Sequence, residues 1–264
     1  MQASCTLYDE GTAPTLGAEE VAAWLGQRVP GLAVGVAGEY VSTWADEPAR
    51  QALARRLAEA KVTDPGRPWQ AREPLPFEVE YEGRRLAARN RGAFGIMYEG
   101  LLMQRALAGL LPGGEKSRRQ VQVVLTNRLL GTWEADDRRY HLRTVVLGQP
   151  ALVSTSGLVE APARPREFYL AKRVLGNVSS DSAAYLRLKE VFAGRCLDHD
   201  DPRLGVVARG YALAAVIYQL TGEGFCADPG CMLYNAHWQE EMLAAQLGGR
   251  LCPRHEETLR SLRS

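Results

Sequence analysis

Two short stretches decide the fold of this chain: FCADPGCM at residues 225–232 and CPRH at residues 252–255. In the first, a Pro-Gly pair at residues 229–230 predicts a turn that lets both cysteine thiolates face one point. The second places a cysteine and a histidine three positions apart, just before a helical pattern. Together they give the spacing C-x4-C-x20-C-x2-H, which lies within the Cys3His repertoire of closed tetrahedral zinc sites. The predicted ligands of one zinc ion are Cys226, Cys231, Cys252 and His255.

A site with four protein ligands has no open position for a substrate or an activated water, so the predicted ion is structural. Zinc binding to such a site contributes roughly 10 kcal/mol or more, which would fold the C-terminal segment onto the rest of the domain. The alternative interpretation is a set of buried free cysteines beside a surface histidine, because a free cysteine behaves as a small apolar side chain.

Composition is that of a soluble globular protein, with 264 residues, 46% hydrophobic and 24% charged. The formal net charge of +1 gives no global signal for nucleic acid or for an acidic membrane surface. No stretch approaches 18 consecutive apolar residues, and the N-terminal residues lack the basic start and apolar run of a signal peptide. Five cysteines, an odd number with ligand-type clustering, favour a reducing compartment, so a cytoplasmic location is predicted.

Apolar periodicity in the first 115 residues predicts the order strand, helix, strand, helix, hairpin, helix. This order favours an α/β or α+β fold, a mixed sheet flanked by helices. The predicted segments are residues 5–8, 18–29, 32–41, 47–62, 77–88 (the hairpin, with its turn at Glu82-Gly83) and 94–111.

The middle of the chain is rich in predicted strands, beginning with QVQVVLT at residues 120–126, which has the composition of a strand buried on both faces. Two more strands are predicted at residues 142–147 and 151–158, and helices at residues 183–193 and after Asp201-Pro202. The polar run STSG at residues 154–157 lacks the G-x-S-x-G nucleophile elbow, so we interpret it as part of a half-exposed or edge strand.

Three further histidines could supply metal ligands. Cys196 and His199 form a second C-x2-H pair, but they lie in an acidic loop and are interpreted as a solvent-exposed turn, with a metal role as the alternative. His237 and Glu241 are spaced so that a helix would place them on one face, together with Glu240. The pattern HxxEE lacks the second histidine of the HxxEH zinc motif, which favours a solvated face. His141 falls in a predicted strand.

The region around Cys226 resembles the archaemetzincin branch of the metzincin metallopeptidases, whose signature is HExxHxxGxxHCx4CxM followed by a second cysteine pair. Cys226 and Cys231 match its two cysteines, and Gly222 matches its glycine. Met232 stands one residue before the methionine of the signature, and His255 replaces the last cysteine. Residues 123–133 and 144–158 loosely resemble the strands that precede the catalytic helix. The resemblance covers roughly residues 120–260 and implies a zincin-like fold, with an N-terminal α/β region at residues 1–115 and the zincin region at residues 116–264.

The catalytic half of the resembled motif is missing. Its three zinc-binding histidines correspond to Ala215, Gln219 and Phe225, and its general-base glutamate corresponds to Val216. Alanine, valine and phenylalanine offer no lone pair, and glutamine is a poor zinc ligand. No catalytic residue is therefore predicted, whereas the cysteine half of the motif remains.

Two classes of function stay open. By resemblance the chain is a metallopeptidase, and by its residues it is a zinc-stabilised pseudoenzyme unless ligands are recruited from elsewhere. The groups available for recruitment are His141, His199, His237, Glu223, Glu240 and Glu241. Alternatively, the zinc module is a protein or nucleic-acid interaction device. Basic residues for such a surface are Arg250, Arg254, Arg260 and Arg263. They lack the aromatic neighbours of nucleic-acid surfaces, so a protein or peptide partner is left open.

Overall fold

The structure, a computed structural model, describes residues 2–11, 13–88, 95–176, 179 and 182–262. Its strands are β1 (Ser4–Asp9), β2 (Ala33–Ala37), β3 (Met97–Glu99), β4 (Gln120–Thr126), β5 (Leu129–Glu134), β6 (Arg139–Arg143), β7 (Val145–Val146) and β8 (Ala151–Ser154). Its helices are α1 (Ala18–Arg28), α2 (Tyr40–Trp44), α3 (Glu47–Glu59), α4 (Pro76–Leu86), α5 (Gly100–Ala108), α6 (Thr155–Glu160), α7 (Arg166–Leu175), α8 (Ala183–Phe192), α9 (Leu204–Thr221), α10 (Gln239–Gly248) and α11 (Pro253–Ser261). A short 3-10 helix, Gly113–Lys116, precedes β4.

A five-stranded sheet with the order β2-β1-β4-β8-β7 forms the centre of the fold. The first four of these strands run parallel, and β7 is an antiparallel edge strand. In the register, Cys5 of β1 lies between Val34 of β2 and Val121 of β4. The sheet therefore crosses the predicted boundary between residues 115 and 116, and the division into two regions stays a prediction. A smaller sheet, β3-β5-β6, lies beside it.

Helices cover both faces of the large sheet, because parallel strands must be buried on both sides. Alternation along β1 sends Leu7 into a core shared with α1 and α9, and Tyr8 into a second core shared with α3 and α5. The same alternation in β4 separates Val123 from Val124. The predicted mixed sheet flanked by helices is confirmed.

Helix α9 is the element around which the first core is built. Of its 18 residues, 67% are buried, and it packs against α1, α10 and β4. Gly222 ends it in the left-handed conformation, φ 82°, which glycine adopts without strain. Within the described ranges, α9 is the one helix that is long and apolar enough to cross a membrane, although it contains no run of 18 consecutive apolar residues. Its apolar character is accounted for by its place in the core.

The predicted hairpin at residues 77–88 is wrong, because the segment is helix α4. Pro76 stands at the first helical position, where a missing N–H costs nothing, and the Glu78 carboxylate accepts the backbone N–H of Leu75 at 2.8 Å. The residues that α4 buries are Glu82 and Arg85, one turn apart. Since its inward positions are charged, apolar alternation could not reveal the helix.

Two predicted strands end early, and a third is divided into two strands. The strand at residues 32–41 stops at Ala37, and residues 40–44 form α2. Residues 142–147 divide between β6 and β7. The strand at residues 151–158 ends at Ser154, whose Oγ accepts the backbone N–H of Gly157 and starts α6.

The STSG run is thus a buried turn between a strand and a helix, not part of an edge strand. Its hydroxyls donate to the backbone carbonyls of Arg128, Asn127 and Thr126. The predicted helix at residues 94–111 begins, within the described residues, as strand β3 and becomes α5 only at Gly100; residue 94 lies outside the described residues.

Two glycines in helices give opposite expectations. A Cβ at Gly83 would meet nothing within 4 Å, so Gly83→Ala should raise the free energy of unfolding by up to about 1 kcal/mol, because alanine is the better helix former. A Cβ at Gly157 would lie 2.1 Å from the backbone oxygen of Arg143, so Gly157→Ala should lower it by about 1–3 kcal/mol or more. Thermal unfolding measures both, and a lower Tm for Gly83→Ala would contradict helix α4.

Candidate metal centre

The structure brings the four predicted zinc ligands together. Their ligand atoms all lie within 4.8 Å of one another. The Sγ atoms of Cys226 and Cys252 are 3.8 Å apart, and Nδ1 of His255 lies 3.1 Å from Sγ of Cys252 and 3.6 Å from Sγ of Cys231. A tetrahedron with Zn–S bonds of about 2.3 Å has edges of about 3.8 Å. The spacing and the donor types therefore fit one Zn²⁺ ion.

A short knuckle of backbone holds the first pair of thiols. The backbone N–H of Cys226 donates to the carbonyl of Leu233 at 2.8 Å, and that of Cys231 donates to the carbonyl of Asp228 at 3.0 Å. The Asp228 carboxylate accepts the N–H of Gly230 at 2.9 Å and closes the predicted Pro-Gly turn. The chain thus returns on itself between the two cysteines.

The second pair sits at the start of α11. Cys252 is the residue that precedes the helix, Pro253 occupies its first position, and His255 follows in the first turn. The knuckle and this helix are joined by the backbone N–H of Met232, which donates to the carbonyl of Arg250 at 2.6 Å. His255 is only 1% exposed, so its ring faces the cluster and not the solvent.

Backbone N–H groups point at the sulfur atoms. The N–H of Asp228 lies 3.4 Å from Sγ of Cys226, and the N–H of Cys252 lies 3.5 Å from Sγ of Cys231. Burial raises the pKa of Cys231 to about 11. At Cys252 burial also raises the pKa, but N–H groups at the start of α11 and the neighbouring thiols outweigh it and lower the pKa. A divalent cation would stabilise all three thiolates, because a coordinating thiol is deprotonated.

The surroundings of Nε2, on the far side of the His255 ring, test whether the site suits a metal ion. This nitrogen is buried and has no hydrogen-bond partner within the described part of the chain, and Glu223 Oε2 lies 3.7 Å away. Thr258 donates to the same carboxylate oxygen at 3.3 Å. Burial lowers the pKa of His255, which favours the neutral imidazole that a metal ligand must be. A carboxylate behind a ligating histidine is a common arrangement at zinc sites, and Glu223 occupies that position here.

The positions of the missing catalytic motif lie elsewhere on α9 and beyond it. Ala215 and Val216 are 1% and 0% exposed, inside the apolar core. Gln219 donates from Nε2 to Oε1 of Gln149 at 2.9 Å. Phe225 lies edge-on to the ring of Tyr211, with centroids 6.4 Å apart.

His237 and Glu241 do not share a helix face, so this part of the sequence interpretation is wrong. Helix α10 begins at Gln239, and His237 precedes it. The Glu241 carboxylate accepts the backbone N–H groups of His237 and Trp238 at 3.1 and 3.2 Å, so it caps the helix. Glu240 bonds to Arg195 at 2.6 Å.

Cys196 and His199 lie in different environments. Cys196 is 4% exposed and packs with Phe168 and Phe192 in a small apolar cluster, so the prediction of a solvent-exposed turn fails for this residue. His199 pairs with Glu160 at 3.3 Å. Among the residues that the structure describes, the Cys226 cluster is the one group of three or more His, Cys, Asp or Glu side chains whose ligand atoms converge.

Replacing one thiol should remove the metal. For Cys226→Ser, the zinc content measured by elemental analysis should fall from about one atom per chain to near zero, and the Tm should fall, because a closed site cannot lose a ligand cheaply. Cys196→Ser is the matched control, since it removes another buried thiol away from the site. Full zinc retention in Cys226→Ser would show that the ligand set is wrong.

Removing the carboxylate behind His255 should weaken zinc binding without abolishing it. Glu223→Gln should lower the affinity about 10-fold to 100-fold, the range seen when such outer partners are changed. Competition with a chromophoric chelator measures this loss. The control Glu257→Gln changes an exposed carboxylate on α11, the helix that carries His255, and should leave the zinc affinity unchanged. Equal affinities for the two variants would contradict a role for Glu223.

Comparison with solved structures finds two matches. Archaemetzincin (amzA) from Methanopyrus kandleri is 13% identical with a TM-score of 0.44, and the match covers 99% of this chain and 95% of that one. A zinc-dependent peptidase from Methanocorpusculum labreanum (strain Z) is 12% identical with a TM-score of 0.43, covering 97% and 99%. A search of curated proteins gives no significant match.

The sequence itself matches the Probable metallopeptidase family (DUF6775) over residues 1–262. That match spans both the sheet and the Cys3His cluster, and it confirms the prediction of a metallopeptidase family. The chain belongs to the Probable metallopeptidase family (DUF6775).

Proposed function

We propose that this chain is a zinc-stabilised pseudoenzyme of its family, which keeps a structural zinc ion and lacks the chemistry of a zinc peptidase. The observation that carries the proposal is the environment of positions 215, 216, 219 and 225, where the resembled family has its catalytic groups. Three of these side chains carry no lone pair, and the fourth, Gln219, is hydrogen-bonded to Gln149. We also propose a cytoplasmic location, which the five free cysteines of the chain support.

Hydrolysis by zinc needs about three protein ligands and a base that accepts a proton near neutral pH. Ala215 and Val216 have no lone pair, and both are sealed in the core of α9. Restoring a histidine at position 215 would place a polar ring in an apolar interior, which is costly unless the ring is hydrogen-bonded. Apolar core side chains therefore stand at the positions where catalysis would need a zinc ligand and a general base.

The Gln219 side chain takes part in a chain of structural hydrogen bonds. Its amide nitrogen donates to the side-chain oxygen of Gln149. The Gln149 nitrogen in turn donates to the backbone carbonyls of Glu115 at 2.7 Å and Gln120 at 2.9 Å. This chain of amides ties the end of α9 to the approach to β4. A glutamine bound in this way is a structural link and supports the loss of ligand function.

Five of the six groups considered for recruitment contact partners of their own, Glu240 through Arg195. His199 pairs with Glu160, and His141 contacts the Asp137 carboxylate at 2.7 Å. Glu241 caps α10. Glu223 stands behind His255. These contacts support a single metal site within the described ranges.

A zinc ion held by the four ligands would act as a cross-link. It would connect the knuckle that follows α9 to α11, whose exposed face is polar and whose buried residues are His255 and Leu259. Two basic residues of the alternative interaction surface are paired, Arg254 with Glu223 at 3.5 Å and Arg260 with Glu257, whereas Arg263 lies outside the described residues. Local pairing of this kind favours a structural role over nucleic-acid binding.

The proposal is tested by metal counting together with peptide cleavage. Protein purified without added metal should contain about one zinc per chain, should lose it in Cys226→Ser, and should not cleave a mixed peptide library. Gln219→Ala should leave the zinc content unchanged.

Two results would overturn the proposal. One is a second zinc that survives Cys226→Ser. The other is cleavage by the parent chain that a chelator abolishes and that Gln219→Ala reduces. Cleavage with neither property would indicate a contaminating protease, which a mock purification identifies.

A further inference from the structure

A crevice lies at the carboxyl ends of the parallel strands, where the chain leaves β1 and β4 in opposite directions. After β1 the chain continues to α1 on one face of the sheet, and after β4 it continues to β5, which packs on the other face. Neighbouring strands whose connections diverge in this way leave a gap between them, which is where open parallel sheets bind ligands. The strand order therefore marks this edge as a candidate binding site.

The structure has a cavity at this point. It encloses about 40 Å³ and opens to solvent. Glu10 directly follows β1, Glu39 follows β2, and Asn127 and Arg128 directly follow β4. Arg85, near the end of α4, also lines it. Three successive parallel strands thus each deliver a polar group to one small space.

Arg85 carries an unused donor in this cavity. The residue is only 7% exposed, and its Nη2 donates to Oδ1 of Asn127 at 2.6 Å. Its Nη1 is buried and has no hydrogen-bond partner among the residues that the structure describes. A buried charged donor without an acceptor is costly, so it points to an acceptor supplied by a ligand.

Arg128, by contrast, belongs to a buried network of hydrogen bonds and ion pairs in the wall of the cavity. Its guanidinium donates to Glu82 at 2.6 Å, and Lys61 and Tyr98 bind the other oxygen of that carboxylate at 2.9 and 2.7 Å. Burial raises the pKa of Glu82, but these three groups outweigh it and keep the pKa below its ordinary value. Arg85, whose Nη1 has no hydrogen-bond partner within the described residues, is thus the cation with a donor open to a ligand.

The same cavity presents negative charge. The Glu10 and Glu39 carboxylates come from the ends of neighbouring strands β1 and β2. Ser42 donates to Glu39 at 2.8 Å, which holds that side chain in place. Burial raises the pKa of Glu10, although the nearby positive charges of Arg128 and Arg85 oppose this rise. A simple anion would meet repulsion from this side, whereas a ligand with a positive group would not.

We propose that this crevice binds a small zwitterion, a free α-amino acid, with its carboxylate on Nη1 of Arg85 and its ammonium group facing Glu10 and Glu39. The size of the cavity suits the charged head of an amino acid, with the side chain in the open mouth. The site uses no residue of the zinc centre and none of positions 215, 216, 219 and 225, so it stands independently of the proposed function.

Isothermal titration calorimetry on the full zinc-loaded chain tests the proposal with glycine and L-alanine as probes. Both should bind, and acetate, methylammonium and inorganic phosphate should bind at least about tenfold more weakly, because each satisfies only one half of the site. Acetate or phosphate binding as tightly as glycine would overturn the zwitterion in favour of an anion site. No heat of binding with either amino acid at millimolar concentration would overturn the site itself.

Variants locate the binding. Arg85→Met should weaken glycine binding at least about tenfold, and the adjacent Arg84→Met, which removes an exposed arginine of the same helix, should not change it. Glu39→Gln should also weaken glycine binding while Glu19→Gln, an exposed carboxylate on α1, should not. If Arg85→Met fails to fold, the Glu39→Gln comparison decides. Glycine binding unchanged in folded Arg85→Met or in Glu39→Gln would contradict the proposal.

Discussion

The burial of α9 is the constraint on which the rest of this structure depends. A helix that is apolar on nearly all sides must be covered on nearly all sides, and here the sheet, α1 and α10 provide the cover. Each large aliphatic side chain that it buries is worth roughly 1.5–3 kcal/mol. The glycine at its end, Gly222, then turns the chain so that Cys226 comes next to the segment carrying Cys252.

The same burial separates the two groups of positions at which this chain is compared with the archaemetzincin signature. Ligands on the inward side of α9 would have to be polar groups in a dry core, and this chain has alanine and valine there. The cysteine knuckle lies beyond the helix, where loops can supply polar partners to the sulfur atoms and to His255. Under the proposed function, the α9 positions serve packing and the Cys3His cluster holds α11 in place.

Charged groups are buried in two places, and each is handled differently. Glu82 is surrounded by Arg128, Lys61 and Tyr98, so its charge is compensated within the protein. Arg85, one turn further along α4, donates to Asn127 and lies near the charge of Glu10, but its Nη1 has no hydrogen-bond partner within the described ranges. Both lie at the carboxyl edge of the sheet, where strand ends gather polar residues that are distant in sequence. Structural and ligand-binding roles for buried charge can thus occur on one short helix.

The sequence by itself determined the features that rest on local spacing. The turn between Cys226 and Cys231, the doubly buried strand β4 and the amphipathic α1 and α3 follow from neighbours within a few residues. The four zinc ligands follow from the spacing of cysteine and histidine within residues 226–255. Only the tertiary structure decided what depends on partners far along the chain. It showed that α4 is a helix. The sequence pattern did not reveal this helix, because its inward residues are charged and bind groups on β3 and beyond β4. It also decided that Glu241 serves as a cap and that Glu223 stands behind His255. The crevice beside Arg85 exists only once β1 and β4, more than 100 residues apart, lie side by side, and no sequence period encodes that meeting.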